Sequence, residues 1–236
     1  MNQANDFKLD VSDRNFLEFF GALIGDGWLG VYRCKDKETW TIGMSGHSKD
    51  DKEYLLRIRT IIKKTFNRKA TLKYKKDCNG MEINFAHKNL VMFLNKNFSF
   101  PIGKKENLSL PEFIINDWNK FKYVVRGIFD TDGSLYFDNK NTKFLYPVID
   151  ITMMEPILID QLTKKLCENG FRAIKNSDHR IKIKGKEQMK KWFIEFRPKN
   201  NKHINKYKFW KSVNGLRAPV AQLGLELRRK AMTCRT

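Results

Sequence analysis

Residues 19–27 read FFGALIGDG and residues 125–133 read VRGIFDTDG, so the chain carries one pattern twice. Each copy is an apolar run with small residues four positions apart, and each ends in an Asp-Gly pair. Positions i and i+4 of a helix share a face, and glycine inside a helix costs about 1 kcal/mol relative to alanine. Glycine on that face indicates that another backbone comes close. The pattern therefore predicts two helices that pack against each other.

Pairing of these helices would bring Asp26 and Asp132 together, one at the end of each copy. The C-terminal end of a helix is partly negative, and two neighbouring carboxylates repel each other. A divalent cation between them would make this unfavourable arrangement favourable. The sequence therefore predicts a metal site at the paired helix ends. The simpler alternative is that each aspartate only ends its helix in a turn.

The chain is strongly basic, with 46 Lys and Arg residues against 26 Asp and Glu residues and a net charge of +20 over 236 residues. A hydrophobic content of 41% is typical of a globular protein, and the length allows one or two domains. The excess of positive charge indicates a polyanionic partner, most simply nucleic acid. The alternative is a basic surface that only contacts solvent.

The cysteines have no paired spacing, so neither a zinc site nor a disulfide framework is expected. They are Cys34, Cys78, Cys167 and Cys234. The sequence shows no secretory apolar segment and no long uninterrupted apolar run. We therefore expect an intracellular protein of the cytoplasm or an organellar matrix, neither secreted nor inserted in a membrane.

Hydrophobic periodicity predicts the same order of elements in both halves of the chain: helix, hairpin, helix, hairpin, helix. This order places one half-domain at residues 1–99, a second at residues 117–214, and a basic C-terminal tail at residues 215–236. Residues 100–116 contain Pro, Gly and a second Pro, which is typical of a linker.

Three local features are expected at helix ends. Gly27 would end the first motif helix in a left-handed conformation. Ser48, with Asp51 three residues later, would form a capping box for the next helix. Pro156 fits the first turn of a helix in the second half.

Two other motifs do not fit their surroundings. Residues 25–30 match G-x-G-x-x-G, but that fingerprint needs a strand before it and a helix after it, and here a helical pattern comes first. Residues 129–135 resemble the nucleophile motif of haloacid-dehalogenase-type phosphatases, in which Asp130 would accept a phosphoryl group. That motif follows a buried strand, whereas this one follows a helix, and the first copy has Ile24 in place of Asp130.

The two Asp-Gly motifs, the order of helices and hairpins, and the Pro-x-Gly-Lys-Lys sequence at residues 101–105 resemble the LAGLIDADG homing endonuclease family in its single-chain, two-motif form. The resemblance implies an α+β fold of two pseudo-symmetric αββαββα half-domains, with antiparallel saddle-shaped sheets and a central pair of motif helices. It implies a monomeric, intron-encoded enzyme that makes a metal-dependent double-strand break in a long double-stranded DNA target. An intron RNA maturase, or a non-cleaving DNA-binding protein of the same fold, is the alternative.

The same resemblance implies which residues bind metal. Asp26 and Asp132 would bind Mg²⁺, with Mn²⁺ as a substitute, helped by the backbone carbonyls of Gly25 and Thr131. A metal held there would polarise the phosphate and activate water for phosphodiester hydrolysis. One carboxylate from each half would provide one site for each DNA strand.

The family also places a basic catalytic residue near each metal. The resemblance implies Lys104 or Lys105 at the first site, and Lys199 or Lys206 lies in the comparable region of the second half. Relatives often have Gln or Lys after the second strand of each half, where they order water. This chain departs from that pattern with Ser45, Gly46 and His47, and then Thr152, Met153 and Met154.

Basic residues alternate along several predicted strands. They are Arg33, Lys35, Lys73, Lys75, Arg180, Lys182 and Lys184. Alternate residues of a strand lie on one face, and a β-ribbon with a basic face fits the DNA major groove and its phosphates. We therefore expect these side chains to bind DNA, with a merely solvated sheet face as the alternative.

Overall fold

The computed structural model describes residues 9–35, 37–76, 78–138 and 145–213. The first half contains α1 (Arg14–Asp26), β1 (Gly27–Cys34), β2 (Lys37–His47), α2 (Lys52–Phe66), β3 (Thr71–Tyr74), β4 (Gly80–Ala86) and α3 (Lys88–Phe98). The connection between the halves contains α4 (Glu112–Ile115), and the second half contains α5 (Trp118–Asp132), β5 (Gly133–Asp138), β6 (Tyr146–Thr152), α6 (Pro156–Glu168), β7 (Ala173–Ser177), β8 (Arg180–Lys184), α7 (Lys186–Glu195) and α8 (Asn201–Val213).

Each half has one antiparallel sheet of four strands. The strand orders are β1-β2-β4-β3 and β5-β6-β8-β7, so the two sheets have the same connectivity. Apolar side chains alternate on the helix-facing side, where Ile83 of β4 and Ile181 and Ile183 of β8 are buried. Helices cover that side of each sheet, and the predicted α+β architecture of two similar halves is confirmed.

The two motif helices, α1 and α5, pack against each other at the centre of the molecule. A Cβ atom built on Gly127 would lie only 2.3 Å from the backbone oxygen of Glu18. No side chain larger than hydrogen fits at this crossing, because the neighbouring atom belongs to a helix backbone and cannot rotate away. The glycines of the repeated motif are therefore the contact surface between the halves.

This helix pair buries a charged cluster. Glu18 of α1 is 1% exposed and accepts two hydrogen bonds from the Arg57 guanidinium, at 2.7 and 2.8 Å. Arg126 of α5 donates from Nη1 to Glu18 Oε2 at 3.2 Å, and from Nε to the carbonyl oxygen of Phe196 at 2.7 Å. The buried charges are therefore paired with one another. The Glu18 carboxylate thus connects α1 and α2 of the first half with α5 of the second half.

The segment between the halves, residues 100–116, packs against both of them. The N–H of Gly103 donates to the Leu29 carbonyl oxygen at 2.8 Å, in the first half. The N–H of Leu108 donates to Glu155 Oε2 at 3.0 Å, in the second half. The connection also contains the short helix α4.

Several local expectations were wrong. Gly27 has φ −94° and ψ 168°, which is extended backbone, because α1 runs directly into β1 without a left-handed residue. Asp51 precedes α2, but its side chain makes no capping hydrogen bond, and no capping box with Ser48 forms. Helix α8 was not expected at all. Pro156 does occupy the first turn of α6.

The basic tail expected at residues 215–236 lies outside the described residues. In the part of the chain that the structure describes, none of the helices combines the length and the apolar character needed to span a membrane.

Candidate active site

The two motif aspartates are the last residues of the paired helices. Asp26 ends α1 and Asp132 ends α5, and a strand begins at the next residue in both cases. The N–H of Gly27 donates to the Leu23 carbonyl oxygen, and the N–H of Gly133 donates to that of Phe129. The same helix-to-strand junction therefore presents one carboxylate from each half at the crossing of the helices.

The surroundings of these two carboxyl groups raise the pKa of both. Burial, followed by the charge of Asp26, raises the pKa of Asp132 to about 6, and Lys105 and Lys202 oppose the shift only partly. Burial also raises the pKa of Asp26, against the charge of Lys202, and Asp51 adds to the increase. The two carboxyl groups are close enough to repel each other, so a cation has an electrostatic reason to bind.

Two lysines, one from the connection between the halves and one from the second half, reach the helix ends that carry the aspartates. The Lys105 ammonium donates to the carbonyl oxygen of Ile24 at 2.8 Å and also to that of Gly25. The Lys202 ammonium donates to the carbonyl oxygen of Thr131 at 3.0 Å. Burial lowers the pKa of Lys105, although the charge of Asp132 and then of Asp26 partly offsets this.

The structure distinguishes the two lysines that the sequence offered for the first half. The side chain of Lys104 is 84% exposed and pairs with Glu106 at 2.7 Å. Lys105, the next residue, extends inward to the end of α1. Only Lys105 therefore reaches the site.

In the second half, sequence reasoning missed Lys202. It lies in the first turn of α8, between the candidates Lys199 and Lys206. Lys199 contributes its backbone N–H, which donates to Asp130 Oδ2 at 2.7 Å. The signal that could have found Lys202 is its position shortly after the last helix of the second half's αββαββα unit, as Lys105 follows α3 in the first half.

Asp130 binds residues next to the candidate site. It is fully buried, and its backbone carbonyl accepts from Asn200 Nδ2 at 2.8 Å. Burial raises its pKa to about 7 against the backbone N–H groups of Lys199 and Asn200. Asp130 thus attaches the segment that precedes α8 to the motif helix, a role that Ile24 in the first copy cannot fill.

The donors at the helix ends suit a hard divalent cation. The carboxylates of Asp26 and Asp132 and the carbonyls of Gly25 and Thr131 offer oxygen atoms, which Mg²⁺ prefers. Each carbonyl oxygen has two lone pairs, so a bound lysine leaves one available. Among the described residues, no group of three or more His, Cys, Asp or Glu side chains forms a ready-made metal site. A metal here would therefore need backbone oxygens, water or a substrate phosphate.

The structure places residues 45–47 at the end of β2, Thr152 at the end of β6, and Met153 and Met154 directly after β6. These positions carry little polar function. The His47 ring faces Asp50, with 3.3 Å between Nδ1 and Oδ2. Met153 is buried and Met154 is 76% exposed. Thr152 donates its hydroxyl to Asp150 at 3.3 Å. Glutamine or lysine side chains that could order water are thus missing from these positions.

On the first sheet, the predicted DNA-binding residues separate onto two faces. In the strand register, Lys73 of β3 lies opposite Glu82 of β4, on the face of the sheet away from the buried side chains. Arg33 of β1 lies four residues after buried Leu29, so both side chains are on the helix-facing side of the sheet. Arg33 lies past the edge of the core, where its Nε is 2.8 Å from Glu38 Oε1. Lys35 follows β1 in an exposed turn, and Lys75 follows β3 and is also exposed.

On the second sheet, the three predicted basic residues share the outer face. Arg180, Lys182 and Lys184 alternate with buried isoleucines of β8. Arg180 is already paired, because its guanidinium donates to both oxygens of buried Asp150 at 2.6 to 3.0 Å. Lys182 and Lys184 extend this basic surface along the strand.

Several solved structures are similar to this architecture of two four-stranded sheets around a central helix pair. I-DmoI in complex with DNA and Ca is 13% identical, and the match covers 78% of this chain and 88% of that chain with a TM-score of 0.53. The I-LtrWI LAGLIDADG homing endonuclease bound to target DNA is 16% identical, with 85% and 90% covered and a TM-score of 0.55. The LAGLIDADG meganuclease I-AabMI bound to uncleaved DNA is 12% identical, with 84% and 90% covered and a TM-score of 0.53.

The chain therefore has the LAGLIDADG homing endonuclease fold, as the sequence resemblance predicted. No family model matches the sequence, and no curated protein matches it. At these identities the likeness defines the fold, and the chemistry has to be argued from the residues.

Proposed function

We propose that this protein is a site-specific homing endonuclease that hydrolyses both strands of a long DNA target with Mg²⁺, for which Mn²⁺ can substitute. The observation that carries the proposal is the pair of half-buried carboxylates, Asp26 and Asp132, at adjoining helix ends. Burial raises both pKa values, with the charge of Asp51 adding to the increase at Asp26 and the charge of Asp26 adding to that at Asp132. Such raised pKa values are unfavourable for folding and understandable at a metal site. Structures of I-DmoI with DNA contain Ca or Mn, which agrees with this choice.

A divalent metal supplies phosphate polarisation and a more acidic bound water. Asp26 and Asp132 would each hold it at one scissile phosphate. Lys105 and Lys202 place one ammonium group at each helix end, where it can neutralise charge that develops on the phosphate. Lys73, Lys182 and Lys184 would contact the DNA from the outer faces of the sheets, and the net charge of +20 favours association with a polyanion.

Cleavage of a randomised duplex library tests this proposal and identifies the target. The full chain is incubated with the library and Mg²⁺, and the selected target is then placed in a supercoiled plasmid. We expect linear product from the wild type. Asp26→Asn and Asp132→Asn should abolish double-strand cleavage and retain binding in Ca²⁺. Linearisation at the wild-type rate by either variant would refute the metal-site assignment.

A maturase or non-cleaving DNA-binding role is the second candidate, and one observation favours it. The positions that would order water carry Met153, Met154 and a His47 ring directed at Asp50. If the library yields bound but uncut duplexes in Mg²⁺ and Mn²⁺, the non-cleaving role is correct. Tighter binding to a structured intron RNA than to any duplex would identify the maturase role.

We further propose that the protein is an intron-encoded monomer that works inside the cell, in the cytoplasm or an organellar matrix. Both aspartates and both lysines of the candidate site come from a single chain, so a second copy is not needed to complete it. Sedimentation of the protein with and without its target DNA would test the monomeric state.

A further inference from the structure

Two acidic residues occupy the same place in the two halves. Asp51 directly precedes α2, and Glu155 directly precedes α6, each shortly after the second strand of its sheet. The backbone carbonyls of both accept the first helical hydrogen bond, from Leu55 and Ile159. Neither side chain caps its own helix, although an aspartate at this position ordinarily does.

The Asp51 carboxylate instead binds the opposite half. Its Oδ1 accepts from Asn200 Nδ2 at 2.7 Å and lies 3.0 Å from Lys202 Nζ. Its Oδ2 accepts from the His47 N–H at 2.9 Å. Both oxygens are therefore engaged, and these contacts hold its pKa below the ordinary value despite burial. A carboxylate bound in this way anchors the segment that carries Lys202.

Glu155 makes the reciprocal connection. It is 6% exposed, and its Oε2 accepts from the N–H of Leu108 at 3.0 Å. Its charge also acts on Lys105 and favours the protonated form of that ammonium group. Glu155 thus holds the segment from 105 to 108, which belongs to the connection leaving the first half.

We infer that Asp51 and Glu155 are positioning residues, each of which holds the lysine-bearing segment of the opposite half against its motif helix. Asp51 of the first half holds Lys202 at the end of α5, and Glu155 of the second half holds Lys105 at the end of α1. Each site is therefore assembled with help from the other half. The inference rests on the proposed nuclease function for its catalytic consequence, and on the contacts alone for the anchoring.

Loss of one anchor should impair one site and spare the other. Lys202 donates to the end of α5 and is the lysine whose charge acts most on Asp26, whereas Lys105 donates to the end of α1 and acts most on Asp132. A reacting group displaced by about 1 Å can lose roughly 100-fold in rate. One strand would then be cut at the normal rate and the other slowly. The expected product is nicked DNA, with the nick in opposite strands for the two variants.

The test uses Asp51→Asn and Glu155→Gln in the full chain, on a supercoiled plasmid that carries the selected target and in Mg²⁺. End-labelling of each strand separately reports which strand is cut. We expect the second cut to slow roughly 10- to 100-fold, while binding in Ca²⁺ changes less than about twofold. Matched controls are Asp160→Asn and Glu187→Gln, whose carboxylates pair with lysines on exposed surfaces away from the site. They should linearise the plasmid as the wild type does.

A second readout does not depend on cleavage. In a double-mutant cycle of Asp51→Asn with Lys202→Met, followed by urea unfolding, an anchoring contact predicts non-additive shifts of the midpoint. Additive shifts, wild-type linearisation by both variants, or nicks in the same strand would overturn the inference. If one variant does not fold, the other must still nick a single strand. If the wild-type protein leaves every duplex uncut, the nuclease proposal is refuted. The double-mutant cycle would still test whether Asp51 anchors the segment that carries Lys202.

Discussion

A Cβ atom on Gly21 would lie 2.0 Å from the backbone oxygen of Val124, across the crossing of the two motif helices. Gly127 makes the reciprocal approach to the backbone of α1. This pair of contacts sets how close α1 and α5 come, and with it how close Asp26 and Asp132 lie. The position of the two carboxylates in the proposed metal site is therefore a consequence of helix packing between two halves of one chain.

Replacement of Gly21 by alanine should destabilise the protein by roughly 3 kcal/mol or more, because the helices have to separate to accommodate the methyl group. Gly80→Ala is the control. The atoms nearest to its Cβ would belong to the flexible, exposed side chains of Cys78 and Lys75, at 3.1 Å, and the change should stay within about 1 kcal/mol. Urea unfolding of both variants gives the comparison. Equal stabilities would contradict the close-contact model.

Replacement of Glu18 by glutamine should cost about 3–5 kcal/mol, because Arg126 would remain buried without its carboxylate partner. The matched control is Glu38→Gln, which removes an exposed pair with Arg33. Exposed pairs are screened by solvent, so the control should melt at the wild-type temperature. Thermal unfolding at low and moderate salt measures both, and a Glu18 variant that melts with the control would show that the cluster does not stabilise the fold.

His203 should make the protein sensitive to acid. Its ring is buried and stacks on Phe129 with 4.2 Å between centroids, and burial followed by the charges of Lys202 and Lys206 lowers its pKa to about 3. Below pH 6.5 the unfolded chain binds a proton that the folded protein does not, so stability decreases as the pH falls.

Between pH 7 and pH 5 this loss should reach about 2 kcal/mol. In His203→Leu it should be absent, while the carboxylates contribute equally to both proteins and cancel in the difference. Urea unfolding across this range, without metal, measures it. Parallel pH profiles of the two proteins would show that His203 does not titrate differently on unfolding.

On the proposed function, Lys105→Met should slow DNA cleavage roughly 100-fold or more, because the site would lose the ammonium group at the end of α1 that neutralises charge on the scissile phosphate. Lys104→Met, one residue away and paired on the surface with Glu106, should cleave at nearly the wild-type rate. Single-turnover cleavage of the selected target compares them. The reverse order of rates would mean that the linker rearranges when DNA binds.

Lys184→Ala should weaken DNA binding to all sequences similarly and reduce the slope of log K against log salt by about 1. Lys64→Ala on α2 is the control, because that helix covers the opposite side of the first sheet. It should leave the slope unchanged. Binding titrations in Ca²⁺ at several salt concentrations measure both slopes, and a lower slope for the control alone would place DNA on the helix side.

Much of the fold follows from local patterns in the sequence. The repeated motif, the period of the apolar residues and the turn residues predicted the helices and strands of both halves, from α1 to α3 and from α5 to α7, since each pattern depends on near neighbours in the chain. The short helix α4 lies within residues 100–116, which were expected to be a linker. Helix α8 was missed because it has no regular apolar stripe. Of its side chains only His203 and Trp210 are buried, and tertiary contacts rather than amphipathicity hold it in place.

The features of the candidate site can be separated in the same way, into those predicted from local patterns and those that depend on tertiary contacts. The sequence alone determined that Asp26 and Asp132 end two glycine-containing helices, because composition and spacing within each copy carry that information. Only the tertiary structure decided that Lys105 rather than Lys104 reaches the site, that Lys202 is its counterpart, and that Asp51 binds the opposite half rather than its own helix. Contacts between residues far apart in the chain depend on how the two halves dock, and no local periodicity encodes that geometry.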